Sequence, residues 1–170
     1  MTTTDRERLG ITARGDREIV MTRVFAAPRR LVFDAWTRPE LFARWFGPRG
    51  WTVPVCEIDL RPGGAYRYVM RRDDDGTEIV MRGVYREVVP PERLVTSEAF
   101  EGFSEIGWRP EDETVTTAVF AERDGQTTWT ATVRYPSQAV RDAALGSDQA
   151  WGGMGESLDR LAELLSATAA

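Results

Sequence analysis

The side chains of this sequence that could carry out chemistry are its carboxylates, tyrosines, arginines and a single cysteine, Cys56. There is no histidine, and all 22 basic residues are arginine. Without histidine, Ser-His-Asp and Cys-His nucleophiles and the usual zinc sites are excluded. Without lysine, Schiff-base chemistry and the lysine-containing phosphate loop are excluded. Any catalysis would therefore use carboxylate, tyrosine, arginine or thiol groups.

Several charged residues fall in segments predicted to be strands: Glu57, Asp59, Glu87, Glu98, Arg67, Arg82 and Arg134. We expect most of them to point outward, where water solvates their charges. An acid–arginine pair enclosed in a cavity would differ, because desolvation shifts the pKa of the acid and makes it a candidate acid or base. Cys56 has no histidine to activate it and is expected to be a small buried hydrophobe. The sequence therefore assigns no catalytic residue.

Three consecutive aspartates, Asp73 to Asp75, precede Gly76. The Asp-Gly pair is typical of a hairpin turn between two strands. A calcium-binding loop is the sharper interpretation of three aspartates, but the downstream ligand spacing of such a loop is missing. We therefore predict a turn here, and neither a metal site nor a cofactor.

A second group of side chains is suited to contact an apolar ligand, with tyrosine hydroxyls orienting its polar part. Alternate residues of a strand share a face, which places Tyr66, Tyr68 and Met70 together. The predicted contact residues are Tyr66, Tyr68, Met70, Met81, Tyr85, Trp151, Met154 and Leu158 along the site, Trp45, Phe46 and Trp51 at one end, and Phe100 and Trp108 at the other. The alternative is that these side chains simply fill the core.

Hydrophobic periodicity and turn residues predict the elements that would position these groups. Apolar alternation predicts strands at 18–26, 51–60, 66–71, 77–89, 94–100, 114–122 and 127–135. Pro28 and Pro39 each open a short helix at the position that proline prefers, and Gly47-Pro48 ends the second helix. A helical turn at 137–146 precedes a long helix at 148–167.

The long helix carries Trp151, Met154, Leu158, Leu161 and Leu165 at steps of three and four, which places them on one side. Strands joined by hairpins form an antiparallel sheet, and one face of such a sheet must be covered. The two short helices after the first strand cover too little of it. The sequence therefore predicts an α+β fold in which a curved sheet of about seven strands grips the long helix and can enclose a cavity.

The totals fit one domain, with 170 residues, 42% hydrophobic residues and a formal charge of −5. That charge argues against a nucleic-acid or anionic-membrane partner. No apolar run approaches the ~18 residues of a membrane span, and the polar start does not resemble a signal peptide. A lone cysteine fits a reducing cytoplasm. We expect a flexible arm at 1–16, a single domain at 17–167, and a long loop at 101–113 that could serve as a lid.

Several motifs resemble those of one family: Trp45-Phe46-Gly47-Pro48 with Gly50-Trp51-Thr52, Pro28 with Phe33-Asp34-Ala35-Trp36, Glu57 to Gly64, Gly83-Val84-Tyr85, Pro90 to Val95, and Trp151 to Leu165. With these motifs the chain resembles, over about residues 17–166, the Aha1-like (activator of Hsp90 ATPase homologue) proteins of the START/Bet v 1-like superfamily. The resemblance implies a helix-grip fold with a deep cavity. Because this superfamily hosts lipid carriers, cyclases, hydroxylase domains and co-chaperone modules, the resemblance does not assign a site.

Three functions are therefore open. The first is a cytoplasmic protein that holds a small hydrophobic or amphipathic molecule in the cavity without covalent chemistry. The second, which the family resemblance implies, is an Hsp90-type chaperone-interaction module that works through an outer, arginine-containing surface. The third is a cyclase- or dehydratase-like enzyme that uses carboxylate and tyrosine acid–base groups. A homodimer is a fair default for an exposed sheet edge.

Overall fold

Eight strands and four helices make up the part of the chain that the computed structural model describes, residues 9–101 and 112–169. The strands are β1 (Gly10–Arg14), β2 (Glu18–Phe25), β3 (Trp51–Ile58), β4 (Ala65–Arg72), β5 (Glu78–Val89), β6 (Arg93–Glu101), β7 (Thr114–Arg123) and β8 (Gln126–Arg134). The helices are α1 (Arg29–Thr37), α2 (Pro39–Trp45), α3 (Gln138–Leu145) and α4 (Asp148–Ala169).

All eight strands form one antiparallel sheet in the order β1-β2-β8-β7-β6-β5-β4-β3. Sequential strands are neighbours everywhere except at β2, which pairs with β8 across the sheet. This arrangement confirms the predicted α+β, helix-grip fold with two short helices after the first long strand. The strand count is eight rather than about seven, and β1 is the additional strand.

The β1 strand lies in the segment that the sequence predicts to be a flexible arm, residues 1–16. Gly10–Arg14 instead pair with β2, and Ile11 stands opposite Met21. Leu9 is 1% exposed and belongs to the core. The strand is short and has a single large apolar residue, so its alternation is too weak to separate it from a loop.

Two local features confirm what proline predicts. Helix α1 begins directly after Pro28, and Pro39 is the first residue of α2. Pro54 lies at both an edge and an irregularity: β3 is the last strand of the sheet, and its register with β4 shifts between Thr52 and Val55. Proline lacks the N–H that an inner strand needs for its ladder, which accounts for this position.

The long helix α4 covers the inner face of the sheet, as its apolar stripe predicts. Trp151, Leu158, Leu161 and Leu165 are buried, whereas Met154 is half-buried. The backbone of α4 lies close to α2 and α1, so the two short helices support it from one side. Within residues 9–101 and 112–169, no helix is both long and apolar enough to cross a membrane.

Candidate ligand-binding site

A carboxyl group and two tyrosine hydroxyls meet on the inner face of the sheet. The strand register places Tyr66 of β4 opposite Gly83 of β5, and Gly83 opposite Glu98 of β6. Side chains of directly paired residues point to the same face, so Glu98 faces inward with Tyr66 and Tyr68. Tyr66 donates a hydrogen bond to Glu98 Oε2 at 2.6 Å, and Tyr68 donates to the same oxygen at 3.1 Å. Together with Tyr85, these residues are called the Glu98 cluster below.

Most charged strand residues point outward, as the sequence predicts, and Glu98 is the exception. Glu57 and Asp59 are exposed, and Glu87 pairs with Arg93 at the surface. The three strand arginines, Arg67, Arg82 and Arg134, are also exposed. Glu98 differs because it lies two residues before Phe100, and alternate strand residues share a face. The strand alternation that predicts an inward Phe100 therefore also predicts an inward Glu98. The charge of Glu98 favours the opposite interpretation.

Gly83 is the reason that the Tyr66 ring can reach Glu98. A Cβ at this position would lie 2.5 Å from both Cζ and the hydroxyl oxygen of Tyr66, and 2.3 Å from the carbonyl oxygen of Ser97. No side chain fits at such distances, so the ring occupies the space above the glycine backbone. The glycine of the Gly83-Val84-Tyr85 motif thus belongs to the site.

The tyrosine rings of the Glu98 cluster pack against one another and against helix α2. Tyr66 and Tyr68 are stacked, with centroids 5.8 Å apart and an interplanar angle of 13°. Tyr85 lies 5.1 Å from Tyr66 on one side, and Phe42 lies 4.7 Å from Tyr68 on the other. The cluster is therefore held in place by aromatic contacts from both the sheet and a helix.

Burial controls the protonation of these groups. It raises the pKa of Glu98, although the hydrogen bonds from Tyr66 and Tyr68 oppose the rise. Burial also raises the pKa values of Tyr66, Tyr68 and Tyr85, and the nearby Glu98 raises them further. All three phenols consequently stay protonated and act as hydrogen-bond donors, so Glu98 is the group of the cluster whose charge can change.

The structure describes twelve of the thirteen predicted contact residues. Nine of them are buried: Trp45, Phe46, Tyr66, Tyr68, Met70, Met81, Tyr85, Trp151 and Leu158. Trp51, Phe100 and Met154 are half-buried, and Trp108 lies outside the described residues, as does most of the 101–113 loop. Phe100 stands opposite Met81 in the β5–β6 register, two residues along from the pair of Gly83 and Glu98. The half-buried Phe100 and Met154 are therefore the predicted residues that join the inner face to accessible surface.

Some predicted contact residues belong to the core instead. Trp45 is 0% exposed, and its indole N–H donates to the Ala35 carbonyl oxygen at 3.0 Å. Leu158 of α4 is also 0% exposed. Trp51 lies at the start of β3 with the Arg72 guanidinium 5.4 Å from its ring centroid. Trp45 and Leu158 thus support the site rather than line it.

Arg160 of α4 is a positioning residue that the sequence did not indicate. Its Nη1 donates to the carbonyl oxygen of Gly47 at 2.8 Å, and its Nη2 donates to that of Arg44 at 3.3 Å. The carbonyl oxygens of Phe46, Pro48 and Trp51 lie 3.4–3.5 Å from Nη1. Arg160 therefore fixes the turn after α2 against the long helix, and with it the Phe46 ring that packs on Tyr68.

Comparison with known proteins agrees with this architecture. The family model of activator of Hsp90 ATPase homolog 1-like protein matches residues 26–166. The chain belongs to this family. A comparison with curated proteins returned no significant match.

Solved structures resemble this family member over nearly the whole chain. A Rhodobacter sphaeroides protein is 28% identical, with a TM-score of 0.81, over 92% of this chain and 97% of its own. A Nitrosomonas europaea protein is 25% identical, with a TM-score of 0.77, over 92% of this chain and 99% of its own. An AHSA1 protein of Silicibacter pomeroyi shares the fold at 21% identity and a TM-score of 0.68, over 89% of this chain and 99% of its own.

The charged groups of a surface groove and of the aspartate turn pair within this family member. An open groove of about 460 Å³ is lined by Arg23, Arg49, Asp159, Ala162, Glu163 and Ser166. Within it Arg23 pairs with Asp159 at 2.8 Å, and Arg49 pairs with Glu163. The described residues include no group of three or more metal-ligating side chains, and Asp75 pairs with Arg72. Burial raises the pKa of Cys56 to about 11, so the thiol stays protonated.

Proposed function

We propose that this protein is a cytoplasmic binding protein for a small, largely apolar molecule, held without covalent chemistry between the sheet and α4. The Glu98 cluster is the observation that carries this proposal. Burying a carboxyl group costs free energy unless it forms hydrogen bonds, and an apolar core of the same volume would be cheaper. A carboxyl group kept inward beside tyrosine and methionine side chains is therefore better suited to orienting a ligand than to filling a core.

Position 154 offers a direct test of where such a ligand would bind. Isothermal titration of the protein with fatty acids, flavonoids and polyketide-like aromatics should detect binding of at least one class. Met154→Trp, which adds volume at a half-buried position facing the sheet, should abolish that binding. Val84→Trp places the same large side chain on the outer face, where Val84 is 41% exposed, and should leave binding unchanged. Absence of binding by all three classes would contradict the proposal.

A second candidate function is interaction with an Hsp90-type chaperone, which the description of the matching family favours. The surface for it would be the outer face of the sheet, where Arg67 stands directly opposite Arg82 and both side chains are exposed. Like charges at paired positions repel each other, and although Arg82 also pairs with Glu101, an acidic partner surface would stabilise the two arginines further. Retention of the host chaperone by the wild-type protein at low salt, lost in Arg67→Glu/Arg82→Glu, would support it. Equal recovery of the chaperone by the wild type and the variant would contradict this second candidate function.

The Glu98 cluster also keeps an acid–base enzyme as a third alternative, because Tyr66 and Glu98 are titratable groups in hydrogen-bond contact. Since the phenols stay protonated, Glu98 would be the base. Such an enzyme would convert a bound ligand into a product that Glu98→Gln does not form. Recovery of every bound compound unchanged, as measured by mass spectrometry, would favour the binding protein over the enzyme.

A further inference from the structure

The two oxygens of Glu98 have different surroundings. Both tyrosine hydrogen bonds go to Oε2, and none of the residues that the structure describes donates to Oε1. A carboxyl group offers about four acceptor positions over its two oxygens. One oxygen is thus fixed by the protein, while the other remains available as an acceptor on the inner face of the sheet.

Two of the tyrosine donors near Glu98 are already used, and burial together with the nearby Glu98 raises the pKa values of two further phenols, Tyr85 and Tyr135. The hydroxyl hydrogens of Tyr66 and Tyr68 point to Oε2, so neither is free for a ligand. The chain has no lysine or histidine. Arg67, Arg71, Arg82 and Arg86 of β4 and β5 are exposed, and Arg72, at the end of β4, pairs with Asp75. Arg23 is on the inner face but lies on β2, three strands from β6, and pairs with Asp159. Among the described residues, no arginine forms an ion pair with Glu98.

This arrangement selects among ligand head groups. A carboxylate or phosphate would meet a like charge beside the ionised form of Glu98, and the hydroxyl hydrogens of Tyr66 and Tyr68 are already used, which disfavours binding. An ammonium group could donate to Oε1, but burying it costs more desolvation free energy than burying a neutral hydroxyl. A hydroxyl supplies the missing hydrogen bond at the smallest cost, and the surrounding rings suit an apolar, ring-containing skeleton.

We propose that the ligand of this site presents a hydroxyl group as a hydrogen-bond donor to Glu98 Oε1, on an otherwise apolar ring system. Amphiphiles with a carboxylate head group, such as fatty acids, are excluded. This inference rests on the proposed binding function and specifies the chemical class of the ligand. In this arrangement Tyr66 and Tyr68 hold the carboxyl group in position, and Glu98 accepts the hydrogen bond from the ligand.

Three probes with the same naphthalene ring separate the head groups: 2-naphthol donates a hydrogen bond, 2-methoxynaphthalene only accepts one, and 2-naphthoate is an anion. Titration calorimetry of the wild-type protein at neutral pH should show 2-naphthol binding about ten- to a hundredfold more tightly than 2-methoxynaphthalene, as expected for a hydrogen bond to a charged group. Binding of 2-naphthoate should be the weakest of the three.

Glu98→Gln is the decisive variant, because glutamine keeps the length of the side chain and can still accept from Tyr66. Its NH2 group would then face the ligand, so 2-naphthol should bind more weakly and 2-methoxynaphthalene more tightly than in the wild type. A purely structural role of Glu98 would weaken both. Glu101→Gln is the control: it lies on the same strand with an exposed side chain that pairs with Arg82 at the surface.

The outcomes separate this inference from the proposed function. Equal binding of 2-naphthol and 2-methoxynaphthalene to the wild-type protein overturns the inference and leaves the binding function standing. Preferred binding of 2-naphthoate does the same. Binding of none of the three probes overturns the inference, and it overturns the binding function as well if fatty acids, flavonoids and polyketide-like aromatics also fail to bind. The wild-type comparison decides even when Glu98→Gln fails to fold.

Discussion

The ring of Tyr66 lies where a side chain at position 83 would be, so only glycine fits there. Gly83→Ala would place a methyl group 2.5 Å from Tyr66 Cζ, so the ring must move away from Glu98. Overpacking of this kind costs about 1–3 kcal/mol. We expect a loss of that size in the free energy of unfolding, measured by urea denaturation.

Two further variants check the cause of that loss. Val84→Ala changes the exposed neighbour on the same strand and should cost within about 0.5 kcal/mol. If the collision with Tyr66 is responsible, Gly83→Ala should cost less in a Tyr66→Leu background, because residues in contact are not additive. Strict additivity would instead assign the loss to the Ser97 carbonyl oxygen.

Glu98 should make stability depend on pH in an unusual direction. Burial raises the pKa of Glu98 in the folded protein above the ordinary glutamate value of about 4.3. The folded state therefore holds this proton more tightly than the unfolded chain does. The stabilisation is complete below the unfolded pKa and is lost as the pH rises through the folded pKa.

We predict that the difference in the free energy of unfolding between the wild type and Glu98→Gln changes with pH. The free energy of unfolding of the wild type, relative to the variant, should fall as the pH is raised from about 4 towards neutral. Urea denaturation at a series of pH values measures it, with Glu101→Gln as the matched exposed substitution. A relative gain in wild-type stability over that range would show that Glu98 is stabilised as a carboxylate.

The turn after α2 depends on one side chain of another element. Arg160 donates to carbonyl oxygens at the end of α2 and in the following turn, and only a planar, forked cation can serve several acceptors at once. We expect Arg160→Met to lower the free energy of unfolding by about 2 kcal/mol, the size of a hydrogen bond to a charged group. Amide hydrogen exchange should accelerate first near Gly47.

A structural control separates this role from general charge loss. Arg123→Met removes an arginine whose side chain is 94% exposed and should change neither the free energy of unfolding nor the exchange near Gly47. Arg160→Lys keeps the charge without the fork and should recover only part of the loss. Full recovery by lysine would mean that charge alone, rather than the shared hydrogen bonds, holds the turn.

The elements show what a single sequence reveals. Pro28 and Pro39 predict the starts of α1 and α2 because the preference of proline for a helix start is local. The apolar stripe from Trp151 to Leu165 predicts α4 because its period extends over many residues. The β1 strand was missed because a short edge strand has little periodicity. Most strand charges face water as predicted, and Glu98 is the exception because its inward position depends on two tyrosine hydroxyls from β4, which lies two strands away from β6.

At the scale of the whole molecule, the fold and the function separate. Relatives with 25–28% identity share the fold over 92% of this chain, so the backbone alone does not distinguish this protein from them. A fold hosts different functions through the side chains placed on it. The Glu98 cluster, rather than the sheet or the long helix, is therefore where the function of this chain should be sought.

Ligand binding and chaperone binding make different predictions for the stability of the whole domain. A ligand that binds only the folded state at 100 times its Kd stabilises it by about 2.7 kcal/mol. For a domain of this size, that corresponds to a rise in Tm of about 5–10 °C. We expect 2-naphthol to produce such a rise in the wild type, increasing with its concentration, and a smaller one in Met154→Trp. A function confined to the outer surface predicts no rise in either protein, while Arg67→Glu/Arg82→Glu should melt with the same ligand-induced rise as the wild type if the inner face binds the ligand.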